Sequence, residues 1–61
     1  MEKKFSKGDI VVLKSGGPNM TVEGYAWHGN YESNDTVICY WFDGNQKNEG
    51  TFNQETLKVA E

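Results

Sequence analysis

Thr36-Val37-Ile38-Cys39-Tyr40-Trp41-Phe42 is an apolar run that ends in the turn dipeptide Asp43-Gly44. Apart from Cys39 its residues are β-branched or aromatic, the types that fit a pleated, half-buried surface, so the run reads as a central strand. Alternation divides it into two faces, with Val37, Cys39 and Trp41 on one and Ile38, Tyr40 and Phe42 on the other. Neither face is polar. Such a strand either lies between two layers or leaves one aromatic face exposed, and a chain of 61 residues has little material to cover both.

Working outward, Asp43-Gly44-Asn45-Gln46 predicts a hairpin turn, and residues 47–52 return antiparallel with Gly50 as a bulge. Asn53-Gln54-Glu55-Thr56 predicts a capped helical or 3₁₀ turn, with Asn53 as N-cap and Glu55 in the first turn. Residues 57–59 follow as a short last strand. On the N-terminal side, residues 20–27 form a strand with Met20 and Val22 on one face. Gly24 interrupts it as a bulge or bend that resets the facing of Tyr25 and Trp27. Residues 28–35 are polar with aromatic neighbours and read as a longer, mobile hairpin loop, extending over 27–35 at its widest. Ser15-Gly16-Gly17-Pro18-Asn19 is dense turn chemistry that ends a first strand at residues 10–14, in which Val11 and Leu13 point inward. Residues 1–6 are a partly flexible start from which Phe5 folds back onto the core.

No stretch carries a helical apolar period of useful length, so the fold is expected to be all-β: a single domain over 1–61, a small five-stranded SH3-like barrel with one short helical turn before the last strand. A five-stranded OB-type barrel is the other architecture that this pattern allows. The formal charge of −3 is unevenly divided, +1 over residues 1–30 and −4 over 31–61, and the chain has no Arg. That balance argues against a surface that tracks phosphates. A single cysteine cannot form an internal disulfide, and no apolar stretch reaches the roughly 18 residues that a membrane span needs. A cytoplasmic setting is expected, with neither signal peptide nor membrane anchor.

The stretch Gly8-Asp9-Ile10-Val11-Val12-Leu13-Lys14-Ser15-Gly16-Gly17-Pro18-Asn19-Met20-Thr21-Val22 resembles the opening of the YodC-like family, small bacterial proteins carried as a domain of unknown function. The likeness continues through Val37, Cys39, Trp41-Phe42-Asp43-Gly44, Phe52, Glu55 and Leu57. It implies a cytoplasmic protein of bacterial or phage origin and a small β-barrel, and it brings no activity or catalytic residues. The chain departs from the family pattern between Gly24 and Asp35, where relatives have a shorter connection, and at Ile38 and Tyr40, where relatives often carry polar residues.

Catalytic chemistry finds little support. Cys39 reads as a small buried hydrophobe and His28 as a loop residue, and a nucleophilic pair would need a third group and a cleft. Zinc takes four ligands, or three and a water, and the chain has one Cys and one His. The carboxylates Asp9, Glu23, Asp43, Glu49 and Glu55 read as turn or surface residues, none paired with another across a pocket. Neither a catalytic residue, nor a metal site, nor a cofactor is expected. The feature above background is aromatic: Tyr25, Trp27, Tyr31, Tyr40, Trp41 and Phe42 lie on two neighbouring strands and their connection. Tyr and Trp are enriched in protein interfaces. The expected role is therefore a non-catalytic interaction module that binds a protein partner or itself through Tyr25, Trp27, Tyr31, Ile38 and Tyr40. The alternative is single-stranded nucleic acid stacked on these rings, with Lys3, Lys4, Lys7 and Lys14 supplying charge, which the acidic balance disfavours.

Overall fold

The computed structural model describes residues 3–60. Five strands, β1 (Ile10–Leu13), β2 (Met20–His28), β3 (Tyr31–Asp43), β4 (Gln46–Asn53) and β5 (Leu57–Val59), form one antiparallel sheet in the order β4-β3-β2-β1-β5. A 3₁₀ turn, Gln54–Thr56, joins β4 to β5, and Asn53 caps it by accepting from the Glu55 N–H at 2.8 Å. The all-β expectation holds, as do the five strands and the turn before the last. The pairings leave β4 and β5 as the two edges of the sheet and do not show it closed into a barrel.

Two sequence expectations fail here. Residues 28–35 are not a loop. β2 runs through His28, β3 begins at Tyr31, and only Gly29-Asn30 turn the chain between them. The second hairpin repeats the device, with Gly44-Asn45 between the paired residues Asp43 and Gln46. In both turns Gly takes the first central position with positive φ (64° and 65°), and the following Asn does not. That is the signature of a type II′ turn, whose twist matches that of the strands it joins. Nor is there a bulge at Gly50. The β3–β4 ladder is continuous from Thr36↔Asn53 to Asp43↔Gln46. Gly50 instead makes room for rings, because a Cβ there would lie 3.2 and 3.3 Å from carbons of the Phe52 ring, which packs against Trp41 at 6.3 Å between centroids.

The core lies on one side of the sheet. Val37 and Cys39 of β3 meet Met20, Val22 and Tyr25 of β2, Val11 of β1, Leu57 of β5 and Phe5, with Leu13, Trp41 and Phe52 packed at the margin. Met20 and Val22 point inward by simple alternation, and the next inward residue would be Gly24. A register shift between Val22 and Gly24 moves the pattern by one, so that Tyr25, paired with Val37, enters the core instead.

Tyr25 carries the only ring hydroxyl in the buried core, and every bonding position of that oxygen is filled. It donates to Gln54 Oε1 at 2.5 Å and accepts from the backbone N–H groups of Lys4 at 2.9 Å and Phe5 at 3.2 Å. Gln54 Oε1 also accepts from Lys4 N–H at 3.0 Å, and the Gln54 side chain is fully buried. The start of the chain, expected to be partly flexible over 1–6, is thus tied down at Lys4 and Phe5, and Ser6 N–H bonds Asp9 Oδ2 at 2.9 Å. Met1 and Glu2 lie outside the described residues.

Tyr25→Phe deletes the hydroxyl and leaves the Phe5 N–H without that acceptor. It is expected to lower stability by about 1–2 kcal/mol, a large share of the roughly 3–9 kcal/mol typical of a domain this size. Urea unfolding checks this: the midpoint should fall with the slope unchanged.

Candidate functional site

The side of the sheet opposite the core is where β3 keeps its second apolar face. Ile38, Tyr40 and Phe42 point outward in succession, half-buried, half-buried and exposed (Phe42 62 %). Cross-strand register fixes their neighbours. Thr21 and Glu49 flank Tyr40, Gly24 and Thr51 flank Ile38, and Lys47 stands opposite Phe42. The Tyr40 and Phe42 rings meet edge to face at 6.4 Å between centroids, an arrangement favoured by the ring quadrupoles. Around them lies an open groove of about 560 Å³, lined by Lys7, Gly8, Thr21, Val22, Glu23, Tyr40, Phe42 and Lys47.

The charges of this face are organised around Tyr40. The Lys47 ammonium lies 4.7 Å from the centre of the Tyr40 ring and 3.7 Å from Glu23 Oε1. Both contacts are exposed and individually weak. The neighbouring Glu23 carboxyl, by hydrogen bonding to the protonated form and repelling the charged one, pushes the Glu49 carboxyl above the usual glutamate range. The sequence pairs no two carboxylates across a pocket, and of these two Glu23 alone lines the groove, but strand order brings them near each other. Glu23 on β2 and Glu49 on β4 approach each other across the single intervening strand, a closeness that strand order creates and sequence spacing hides.

Of the five residues expected to bind a partner, Tyr25 is a correction: it is 6 % exposed and belongs to the core. Ile38 and Tyr40 share the outer face. Trp27 and Tyr31 are exposed (65 % and 63 %) at the tip of the β2–β3 hairpin but do not share a surface. Trp27 pairs with Glu32 and His28 with Tyr31, so alternation sends Trp27 and Tyr31 to opposite sides of the tip. The Lys3 ammonium, which pairs with Glu32 and sits 5.4 Å from the Tyr25 ring, marks Trp27's side as the core side. On the other side the Tyr31 ring lies 5.9 Å from His28.

Between the tip and the outer face the ladder breaks. Tyr25↔Val37 gives way to Trp27↔Glu32, so four residues of β3, 33–36, stand opposite the single residue Ala26. Ser33 organises this bulge. Its hydroxyl accepts from Asp35 N–H (3.2 Å) and Thr36 N–H (3.0 Å) and donates to Asp35 Oδ1 (2.8 Å), and Thr36 Oγ1 donates to the same oxygen at 3.1 Å. These hydroxyls, Ser33 first, hold the Asp35 carboxyl below its ordinary value.

Phe42, Lys47, Glu23 and Glu49 were missed as site residues. The first two were accessible, since alternation carries the outer face from Ile38 to Phe42 and the Asp43-Gly44 turn sets Lys47 opposite it. Cys39 and His28 are not brought together. Cys39 is buried beside Gly50 and Val22, and six residue steps along β2, about 20 Å of strand, separate Val22 from His28. Burial pushes the Cys39 thiol up, away from the reactive thiolate. Among the described residues no group of three or more His, Cys, Asp or Glu is placed to hold a metal, and no helix is long and apolar enough to cross a membrane.

The Glu23–Glu49 contact gives a signed pH dependence. A folded-state pKa raised above the unfolded one contributes stability below the unfolded value that is lost as pH rises through the folded value. Relative to Glu49→Gln, the natural protein should therefore lose stability from the ordinary glutamate range upward, and the variant should be the more stable at neutral pH. Thermal unfolding of both between pH 3 and pH 8, roughly spanning carboxylate titration, would show parallel curves if the contact were absent.

Comparison with curated proteins and with solved structures finds no match. A family model, described as an uncharacterised small protein (DUF2158), matches residues 6–57, from the turn before β1 to the first residue of β5. With most of its length covered, including every residue of the outer-face groove, the chain belongs to the DUF2158 family of uncharacterised small proteins.

Proposed function

We propose that the protein is a non-catalytic, cytoplasmic interaction module that docks a protein partner on the outer face of β3. The observation that carries this reading is the row Ile38, Tyr40, Phe42. Three successive outward positions of the longest strand are apolar or aromatic, half-buried at Ile38 and Tyr40 and exposed at Phe42, and Tyr40 and Phe42 border an open groove. Large apolar groups set side by side on a small domain are a recurrent feature of contact surfaces. The face carries both signs, Lys7 and Lys47 with Glu23 and Glu49, so the apolar row rather than net charge selects the partner. Trp27 and Tyr31, exposed on opposite sides of the hairpin tip, lie outside this docking face.

The sheet order, with a 3₁₀ turn leading into a last strand that pairs with the first, supports the finer reading of an SH3-like barrel. The Gly-Gly-Pro-Asn-Met segment and the Trp-Phe-Asp-Gly segment support a place among the YodC-like proteins. Nothing on the outer face favours nucleic acid, because its lysines, Lys7 and Lys47, are balanced by Glu23 and Glu49.

The test is capture from nuclease-treated native lysate with the tagged protein and with a Tyr40→Ser/Phe42→Ser variant, read by mass spectrometry. A partner held by the natural protein and lost by the folded variant is the expected result. An identical set of captured proteins would sink the outer-face reading, and partners that vanish with nuclease would point to nucleic acid instead.

A further inference from the structure

We infer that β4 is a self-association edge, and that two copies of this chain join by antiparallel β4–β4 pairing centred on Asn48 into one ten-stranded sheet. Among the described residues β4 has a neighbour on one side only. An edge strand presents a row of backbone N–H and C=O groups, and proteins usually blunt it by shortening it or by adding proline, a bulge or several lysines. β5, the other edge, is blunted by its length of 3 residues. β4 has 8 residues, contains no Pro, runs in unbroken register with β3, and carries one Lys, which is engaged with Glu23.

The sequence of β4, Gln46-Lys47-Asn48-Glu49-Gly50-Thr51-Phe52-Asn53, selects the occupant and the register. A two-fold axis normal to the sheet keeps outward residues opposite outward residues, so the strand must pair with itself about one of its own residues. Centring on Lys47 or on Glu49 sets like charges directly opposite, which is destabilising. Centring on Gly50 makes no charge pair. Centring on Asn48 alone sets Lys47 of each copy opposite Glu49 of the other, twice by symmetry. Since Lys47 is paired with Phe42 and Glu49 with Tyr40, each of these rows crosses the joint as Tyr40, Glu49, Lys47, Phe42, with the last two from the second copy. The second copy's ammonium then reaches the Glu49 carboxylate that Glu23 repels within one chain. On the core side the two Asn48 side chains face each other between the two Trp41 rings. The outer faces of both copies end on the same side of the joined sheet, so the pairing leaves the proposed docking groove open and doubles it.

This inference does not rest on the docking reading, and the experiment separates them. Sedimentation of the full chain up to millimolar concentration should show a monomer–dimer equilibrium. Lys47→Glu and Glu49→Lys, each alone, turn both cross-joint pairs into like charges and should weaken the dimer about tenfold or more. Mixing the two variants restores both pairs and should give a heterodimer as tight as the natural one. Glu49→Lys replaces the internal repulsion by Glu23 with an attraction, so this variant should be more stable as a fold and yet dimerise less. A purely structural role for Glu49 would not produce that opposition. A natural protein that stays monomeric throughout overturns the inference, as does a mixture no tighter than its components. Tyr40→Ser/Phe42→Ser, which leaves the charges of β4 in place, should keep the dimer while losing partner capture.

Discussion

The hydrogen bond from the Tyr25 hydroxyl to Gln54 Oε1 is the interaction on which the rest of the fold depends. It joins three segments that the sheet ladder does not connect directly: the middle of β2, the 3₁₀ turn between the two edge strands, and the chain start at Lys4 and Phe5. A phenol and an amide buried in a small core would cost several kcal/mol if unpaired. Here each acceptor position is filled, so the cost is offset and the pairing becomes specific. Fixing Gln54 positions the turn, the turn delivers Leu57 into the core and sets β5 against β1, and Phe5 closes over the same cluster.

That closure explains why one aromatic face is left over. The core of a chain this short has room for a single set of side chains, and it is filled by Val37 and Cys39 from β3 together with the residues brought in by β1, β2, β5 and Phe5. Among the described residues, Ile38, Tyr40 and Phe42 are left on the other face, half-buried to exposed. The exposed face is a consequence of the covered one, because the strand is apolar on both sides and the chain supplies one layer. The charged residues around it follow from strand order, which sets Glu23, Tyr40 and Glu49 side by side from three different strands.

Much of this was legible before any coordinates. The five strands, the Asn53 cap, the inward Val11 and Leu13, and the break at Gly24 each have a local cause: turn residues, alternation, or a side chain bonding its own backbone. The failures are also local. Residues 31–36 hold four polar side chains, Glu32, Ser33, Asn34 and Asp35, between Tyr31 and Thr36, and so they resemble loop. The Gly29-Asn30 dipeptide, the same one found at residues 44–45, was the signal for a tight hairpin. Gly50 reads as a bulge in sequence, because nothing in sequence shows that two rings from neighbouring strands pack over it.

The all-β chain, the break at residues 15–19, the Asp43-Gly44 turn and the presence of two apolar faces on one strand are local properties of the sequence, since they follow from side-chain type and a period of two. Tertiary structure alone decided which aromatics are buried. A one-residue register shift at Gly24 sends Tyr25 inward, and a four-to-one bulge at residues 33–36 separates Trp27 and Tyr31 from the face that holds Tyr40. Register is a relation between strands, fixed by which pairing buries the most apolar surface and satisfies the Tyr25 hydroxyl, and neither of these is a property of any one stretch of the chain.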